Sequence, residues 1–182
     1  PGEVLLIVLC VVTAAAALQA AGGLDLMVSV AEKMLRRHPQ HITIVAPFVS
    51  YLFTFVSGTG HVAYSLLPII AEVSRKVKER PERPLSISVI ASQVAVTASP
   101  MSAATAGLVA LLAKNGGPGL SDVLLVCIPS TLIGVLSGAL SVRNMGVDLD
   151  LDPVYLERLA RGEVAKDDGE VGGLVGHRPH PV

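Results

Sequence analysis

Long apolar blocks alternate with short charged ones along the whole chain. Residues 4–21 form the first block, 18 residues or about 27 Å as a helix, just enough to cross a hydrocarbon core. Its end is rich in alanine, which suits close helix packing, and Gly22-Gly23 then breaks it. Residues 24–37 differ in kind. Leu24, Met27, Val28, Ala31, Met34 and Leu35 recur at three- and four-residue spacing, with Asp25, Glu32, Lys33 and Arg36 among them. That pattern predicts an amphipathic helix lying on a membrane surface.

Residues 41–72 read HITIVAPFVSYLFTFVSGTGHVAYSLLPIIAE: an apolar run, the polar break Ser57-Gly58-Thr59-Gly60-His61, and a second apolar run. As helices the arms 41–56 and 62–71 measure about 24 Å and about 15 Å. A single straight helix would be too long and would carry two glycines in its interior. Lys33, Arg36 and Arg37 precede this stretch, and Arg75, Lys76, Lys78, Arg80 and Arg83 follow it. Basic residues collect on the cytoplasmic side, so both flanks belong inside. The prediction is a re-entrant hairpin.

Pro81 and Pro84 close the linker, and residues 85–113 then run without a charge. At about 43 Å this block exceeds a hydrocarbon core of roughly 30 Å. The excess falls at Thr97-Ala98-Ser99-Pro100-Met101-Ser102, where proline removes a donor and disfavours helix at the residue before it. Two half-helices, 85–97 and 102–113, are expected to cross the membrane once between them. A glycine-rich turn at 115–119 leads into 120–142, which crosses back with a bend at Pro129. Asp152 as N-cap, Pro153 and Gly162 frame a short helix over 153–161; the sequence beyond has no periodicity and reads as a disordered tail. Segments 31–40, 73–84 and 143–182 then lie inside, with Pro1 and 114–119 outside. The fold class expected is an all-α integral membrane protein, with a membrane domain over 1–142 and a cytoplasmic segment over 143–182.

Composition agrees with that class. Charged residues make up 16% of the chain, against about 25% in soluble domains, and those present fall between the apolar blocks. No basic run is interleaved with aromatics, so nucleic-acid binding has no support. Cys10 and Cys127 each sit inside an apolar block and are expected to be buried thiols packing as small hydrophobes. His177 and His180 stand in the tail without further ligands, and neither a metal nor a cofactor is expected. The first block resembles the apolar core of a secretory signal, but its Pro-Gly-Glu flank has no positive charge, so it reads as a transmembrane helix. A start at Pro1, almost inside an apolar block, reads as a fragment with residues missing before it.

The two breaks carry the candidate chemistry. Irregular backbone at membrane depth is tolerated only within protein or around a wet cavity. Gly58 and Gly60 permit close approach of backbone N–H groups to a ligand; Ser57, Thr59, Thr97, Ser99 and Ser102 add hydroxyls. Helices starting after each break point positive dipole ends and free N–H groups toward it. Two such ends facing one another make an anion site suited to two carboxylates, and small-molecule transport is what such architecture serves. His61 is the one His, Asp, Glu, Lys or Arg within the apolar runs away from their ends, a position that marks functional candidates. Two roles fit it: contact with a substrate carboxylate or a coupling proton, and a neutral ring that holds the tip in shape.

These stretches resemble the anaerobic C4-dicarboxylate (Dcu) transporters. The resemblance rests on QAAGGLDLMV, AEKMLRRHPQHITIVAPFVSYLFTF, SGTGHVAYSLLPII, RPERP, ASQVAVTASPMSAA and IPSTLIGVL, and runs from about Leu18 to the tail helix. The GTGH form is similar to the fumarate–succinate exchanger type. The family in turn resembles the ion-transporter superfamily, whose two inverted repeats each supply one hairpin and one broken helix. Relatives in that superfamily are homodimers whose transport domain moves like an elevator. The resemblance implies exchange or uptake of fumarate, succinate, malate and aspartate across a bacterial inner membrane. It carries a substrate site onto Gly58, Thr59, Gly60 and His61 at the hairpin tip and onto Thr97, Ser99, Pro100 and Ser102 at the helix break. One repeat is expected here, with its partner beyond Val182.

Two other classes were weighed. A channel would use GTGH as a re-entrant pore loop and carry ohmic current. An intramembrane enzyme built on Ser99 or His61 lacks a paired base, acid or metal-ligand set, so the chain is not expected to be an enzyme.

Overall fold

A computed structural model describes residues 2–114, 116–146 and 148–161. The expectations for Pro1, Asn115, Gly162 and the tail, His177 and His180 included, lie outside the described residues. Those residues form helices α1 (Gly2–Ala20), α2 (Gly23–Arg37), α3 (Ile42–Ser57), α4 (His61–Lys76), α5 (Glu82–Ala98), α6 (Ala103–Ala113), α7 (Leu120–Arg143) and α8 (Pro153–Ala160). A 3-10 turn, Pro39–His41, leads into α3, and another, Leu149–Leu151, precedes α8. No strand occurs among the described residues. Three stretches are long and apolar enough to cross a membrane: Pro39–Ser57, Glu82–Ala113 and Leu120–Arg143. Among the described residues the fold is all-α, and its three long apolar stretches fit an integral membrane protein.

Helix α5 is the central element, packed on α3, α7, α4 and α6. Its seam with α3 is the most extensive contact in the fold, and the sequence explains why. Buried positions of α5 are Ile87, Ser88, Ala91, Ser92, Ala95 and Ala98; those of α3 include Ala46, Ser50, Thr54 and Ser57. Both stripes follow helical spacing and are made mostly of small residues, so the backbones approach closely, as membrane helices do without a hydrophobic driving force. Thr54 Oγ1 donates to Ser92 Oγ at 3.2 Å across this seam. Ser50 and Ser88 bury hydroxyls in the same two stripes with no partner. On the other side of α3, an apolar cluster joins Leu35 of α2, Ile42, Val49 and Phe53 of α3, and Leu66 and Ile70 of α4. Tyr51 and Thr131 share a 2.8 Å hydrogen bond that ties α3 to α7.

Two boundaries differ from the sequence expectation. The second hairpin arm, expected to end near residue 71, continues to Lys76. Glu72 continues it, since glutamate is a good helix former, and its carboxylate is paired twice: with Lys76 Nζ at 2.7 Å and with Arg36 Nη2 of α2 at 3.2 Å. Arg36 also meets Glu32 at 2.8 Å. The Lys76 hydrogen bond, then Arg36, hold the Glu72 carboxyl below its usual range against the opposing effect of burial. Glu72 lies outside the three spanning stretches. The next helix, expected from residue 85, begins at Glu82, since proline within a first turn forfeits no helical hydrogen bond.

The segment after α7 is fastened to that helix start. Arg83 is 9% exposed; its Nε donates to Met145 O at 2.5 Å, Nη2 donates to Gly146 O at 2.8 Å, and Nη1 pairs with Asp148 at 2.8 Å. Leu149 N donates to Lys78 O at 3.2 Å beside it. The cysteine reading needs one correction: Cys127 is half-buried, but Cys10 is exposed on α1. An apolar run alone does not distinguish a core position from an outward-facing one.

Candidate functional site

The tip between α3 and α4 is set by its glycines and hydroxyls. Gly58 adopts φ 71° and closes α3, its N–H donating to Thr54 O at 2.8 Å. A side chain there would also collide, since a Cβ would stand 2.5 Å from Met101 O and 2.6 Å from Met101 C. The hairpin tip therefore seats its backbone directly on the break between α5 and α6. The Ser57 hydroxyl is used within the turn, donating to Thr54 O at 3.2 Å and Thr59 O at 3.0 Å. Thr59 Oγ1 accepts from His61 N at 3.3 Å and so caps the first turn of α4. Gly60 faces α5 instead, where a Cβ would come within 3.2 Å of Gln93 Nε2 and 3.6 Å of Ser92 Oγ.

At the break, Ser99 and Ser102 are extended and buried. The Ser99 hydroxyl donates to Phe55 O at 2.5 Å and accepts from Met101 N at 3.2 Å. Phe55 lies in the last turn of α3, where helix carbonyls have no intrahelical partner. Ser102 is the N-cap of α6, its Oγ accepting from Ala104 N at 3.2 Å. Thr105 donates back to Thr97 O at 3.1 Å, closing the kink. Thr97 points outward and donates to Val94 O at 2.7 Å, and Pro100 is exposed.

One cavity of about 440 Å³ joins the two features. Gly58, Thr59 and His61 line it from the tip, and Met101, Ser102, Ala103 and Ala104 from the break; Val11, Val12 and Ala16 of α1 close the far wall. Of the expected site residues the structure gathers Gly58, Thr59, His61 and Ser102 around this space. Gly60, Thr97, Ser99 and Pro100 do not line it. No aspartate, glutamate, lysine or arginine lines the cavity. The starts of α4 and α6 both border it, and helix N-termini favour anions. His61 is exposed, with its ring 6.2 Å from that of Tyr64.

Two other cavities differ in chemistry. An apolar groove of about 510 Å³ is lined by Phe48, Tyr51 and Phe55 against Ile128 and Leu132, and the Tyr51 hydroxyl is already bonded to Thr131. A charged pocket of about 570 Å³ beside α8 holds Arg75, Arg80 and Arg158, together with Glu82 and Asp152; Arg80 is paired with both carboxylates.

The sequence reading passed over Thr54, Ser92 and Gln93, which all lie at or beside the tip. For Gln93 a usable signal was present: it is the one amide side chain midway along an apolar block. A search restricted to ionisable groups does not find it.

Comparison with known proteins identifies the family. The family described as "Anaerobic c4-dicarboxylate membrane transporter" matches residues 1–173. The C4-dicarboxylate transporter DcuA of Wolinella succinogenes is 48% identical over 164 residues, 90% of this chain and 38% of the relative. The anaerobic C4-dicarboxylate transporter DcuB of an Escherichia coli O6:H1 strain is 47% identical over 159 residues, 85% of this chain and 36% of the relative. DcuA of Escherichia coli K12 is 43% identical over 165 residues. Near-equal identity to DcuA and DcuB does not sort the chain between the two types. The chain thus spans under two fifths of the length of these relatives, which are transporters and not enzymes. No solved structure matches it. With a match over nearly its whole length, the chain belongs to the anaerobic C4-dicarboxylate membrane transporter family.

Proposed function

We propose that this chain supplies one half of the substrate site of a secondary transporter that moves C4-dicarboxylates, fumarate, succinate, malate and aspartate, across a bacterial inner membrane. The observation that carries the reading is the single cavity bordered by the starts of two helices, α4 and α6, with His61 as its only ionisable lining residue. Helix N-termini bind a carboxylate without a buried fixed charge, so the site need not carry a fixed cation through the bilayer when the substrate leaves.

In this reading α3 and α4 form a re-entrant hairpin over 41–72, entering from the cytoplasmic side, where the basic residues of α2 and of the α4–α5 linker collect. Helix α2 lies at the interface, α5 and α6 cross once as a broken helix, and α7 returns. Thr59, His61 and Ser102 face the substrate. Gly58 shapes the wall, Gly60 lets the tip approach α5, Ser99 ties the break to the hairpin, and Thr97 and Pro100 set the break. A second, inverted repeat of the full-length protein completes the site, in a homodimer that works by elevator-type exchange.

The test is uptake of labelled fumarate by the full-length protein in liposomes preloaded with succinate. Succinate-stimulated, saturable uptake is expected. Ohmic current without saturable exchange would replace the transporter with a channel, and no uptake would remove the reading.

A further inference from the structure

The tip has a second polar neighbour that the cavity lining does not include. Gln93 lies in α5, within the spanning stretch Glu82–Ala113. Its side chain is exposed and makes no hydrogen bond among the described residues. A carboxamide left facing hydrocarbon would carry two donors and an acceptor with no partners, a costly arrangement that membrane helices avoid. The position is therefore one that meets something polar. Two relations say what. Gln93 flanks Gly60, whose missing side chain lets the tip come within reach of the carboxamide, a Cβ there standing 3.2 Å from Gln93 Nε2. Gln93 also lies one turn before Val96, on the same helical face, and Val96 lines the cavity at the tip.

We infer that Gln93 is a substrate-binding residue, its carboxamide donating to a carboxylate held at the tip beside Gly60. This rests on the transporter reading above. A neutral amide suits the role, because it supplies donors without a charge that would hold the dianion too tightly to release. Ser92 next to it is already bonded to Thr54, which leaves Gln93 as the α5 side chain free to turn toward a ligand.

The experiment uses the full-length protein in succinate-loaded liposomes, with Gln93→Leu and Gln93→Glu compared with wild type for fumarate uptake across pH. Loss of one hydrogen bond to a charged group corresponds to roughly a tenfold or greater change in affinity. Gln93→Leu is expected to raise KM by about that factor while the maximal rate changes much less. Gln93→Glu keeps the shape but repels the dianion, so uptake is expected to fall at neutral pH and recover toward acid pH as the introduced carboxyl is protonated, a profile wild type lacks. An unchanged KM in Gln93→Leu overturns the inference. So does a Gln93→Glu protein whose uptake relative to wild type is constant with pH, which also covers the case in which the leucine variant fails to fold. Absence of uptake by wild type is a different result, and it removes the transporter reading itself.

Discussion

The Ser99 hydroxyl donates to the carbonyl of Phe55 at 2.5 Å, so the broken helix completes the last turn of the hairpin's first arm. Ser99→Ala leaves that carbonyl without its donor in a buried seam. A cost of about 1–3 kcal/mol is expected, visible as a lower thermal midpoint in detergent. If the midpoint is unchanged, the bond does not hold the two elements together.

Gly58 and Gly60 are expected to respond differently to alanine. At Gly58 the new methyl meets the Met101 backbone at 2.5 Å and the residue sits at φ 71°, so Gly58→Ala is expected to displace the tip and abolish uptake. At Gly60 the nearest atom is the Gln93 side chain at 3.2 Å, which swings aside, and uptake should fall only in part. Equal loss in the two variants would contradict this ordering.

Arg83 gives the clearest stability test away from the cavity. Its three acceptors come from residues 145–148, and a lysine ammonium cannot reproduce the planar fork. Arg83→Lys and Arg83→Ala are both expected to unfold at lower temperature, with alanine costing about 1–3 kcal/mol because two backbone carbonyls lose their donor, while Asp148, 61% exposed, is rehydrated. Protease cleavage after α7 should quicken in parallel.

The α3–α5 seam separates useful from idle hydroxyls. Ser88 has no partner, so Ser88→Ala is expected to leave stability unchanged or raise it. Ser92→Ala strands Thr54 and is expected to cost about 1 kcal/mol. Melting curves of the two variants, measured side by side, decide the point.

Glu72 predicts an acid limit. Its folded pKa is depressed from 4.5 by Lys76 first and then Arg36. The pairing therefore contributes stability in full above the ordinary carboxylate range and loses it as pH falls through the depressed value. Glu72→Gln is expected to flatten the loss of thermal stability below about pH 4.5. A wild-type-like acid slope in that variant would exclude the contribution.

The helices and both breaks were legible because apolar length and the glycine, proline and serine interruptions are local properties. The end of α4 was not, since the apolar run ends near residue 71 while good helix formers, Glu72 and Lys76 among them, carry the helix on to Lys76. The start of α5 was misplaced because prolines that end one segment also suit the first turn of the next. At the site, hydroxyls could be counted from the sequence but their use could not: Ser99 and Thr97 both read as donors, yet each bonds a backbone carbonyl, while Ser102 caps a helix facing the cavity. Gln93 stands out in the sequence as a mid-block amide, but its proximity to Gly60 is a tertiary relation that the sequence does not carry.

The seating of Gly58 on Met101 has one more consequence. With backbone against backbone, and Ser99 bonded across the same junction, tip and break cannot part like the jaws of a gate without stranding polar groups at membrane depth. The two are held together as one packed unit. Among the described helices, the wall across the cavity from that unit is α1, whose Val11, Val12 and Ala16 offer it dispersion contacts and no side-chain hydrogen bond.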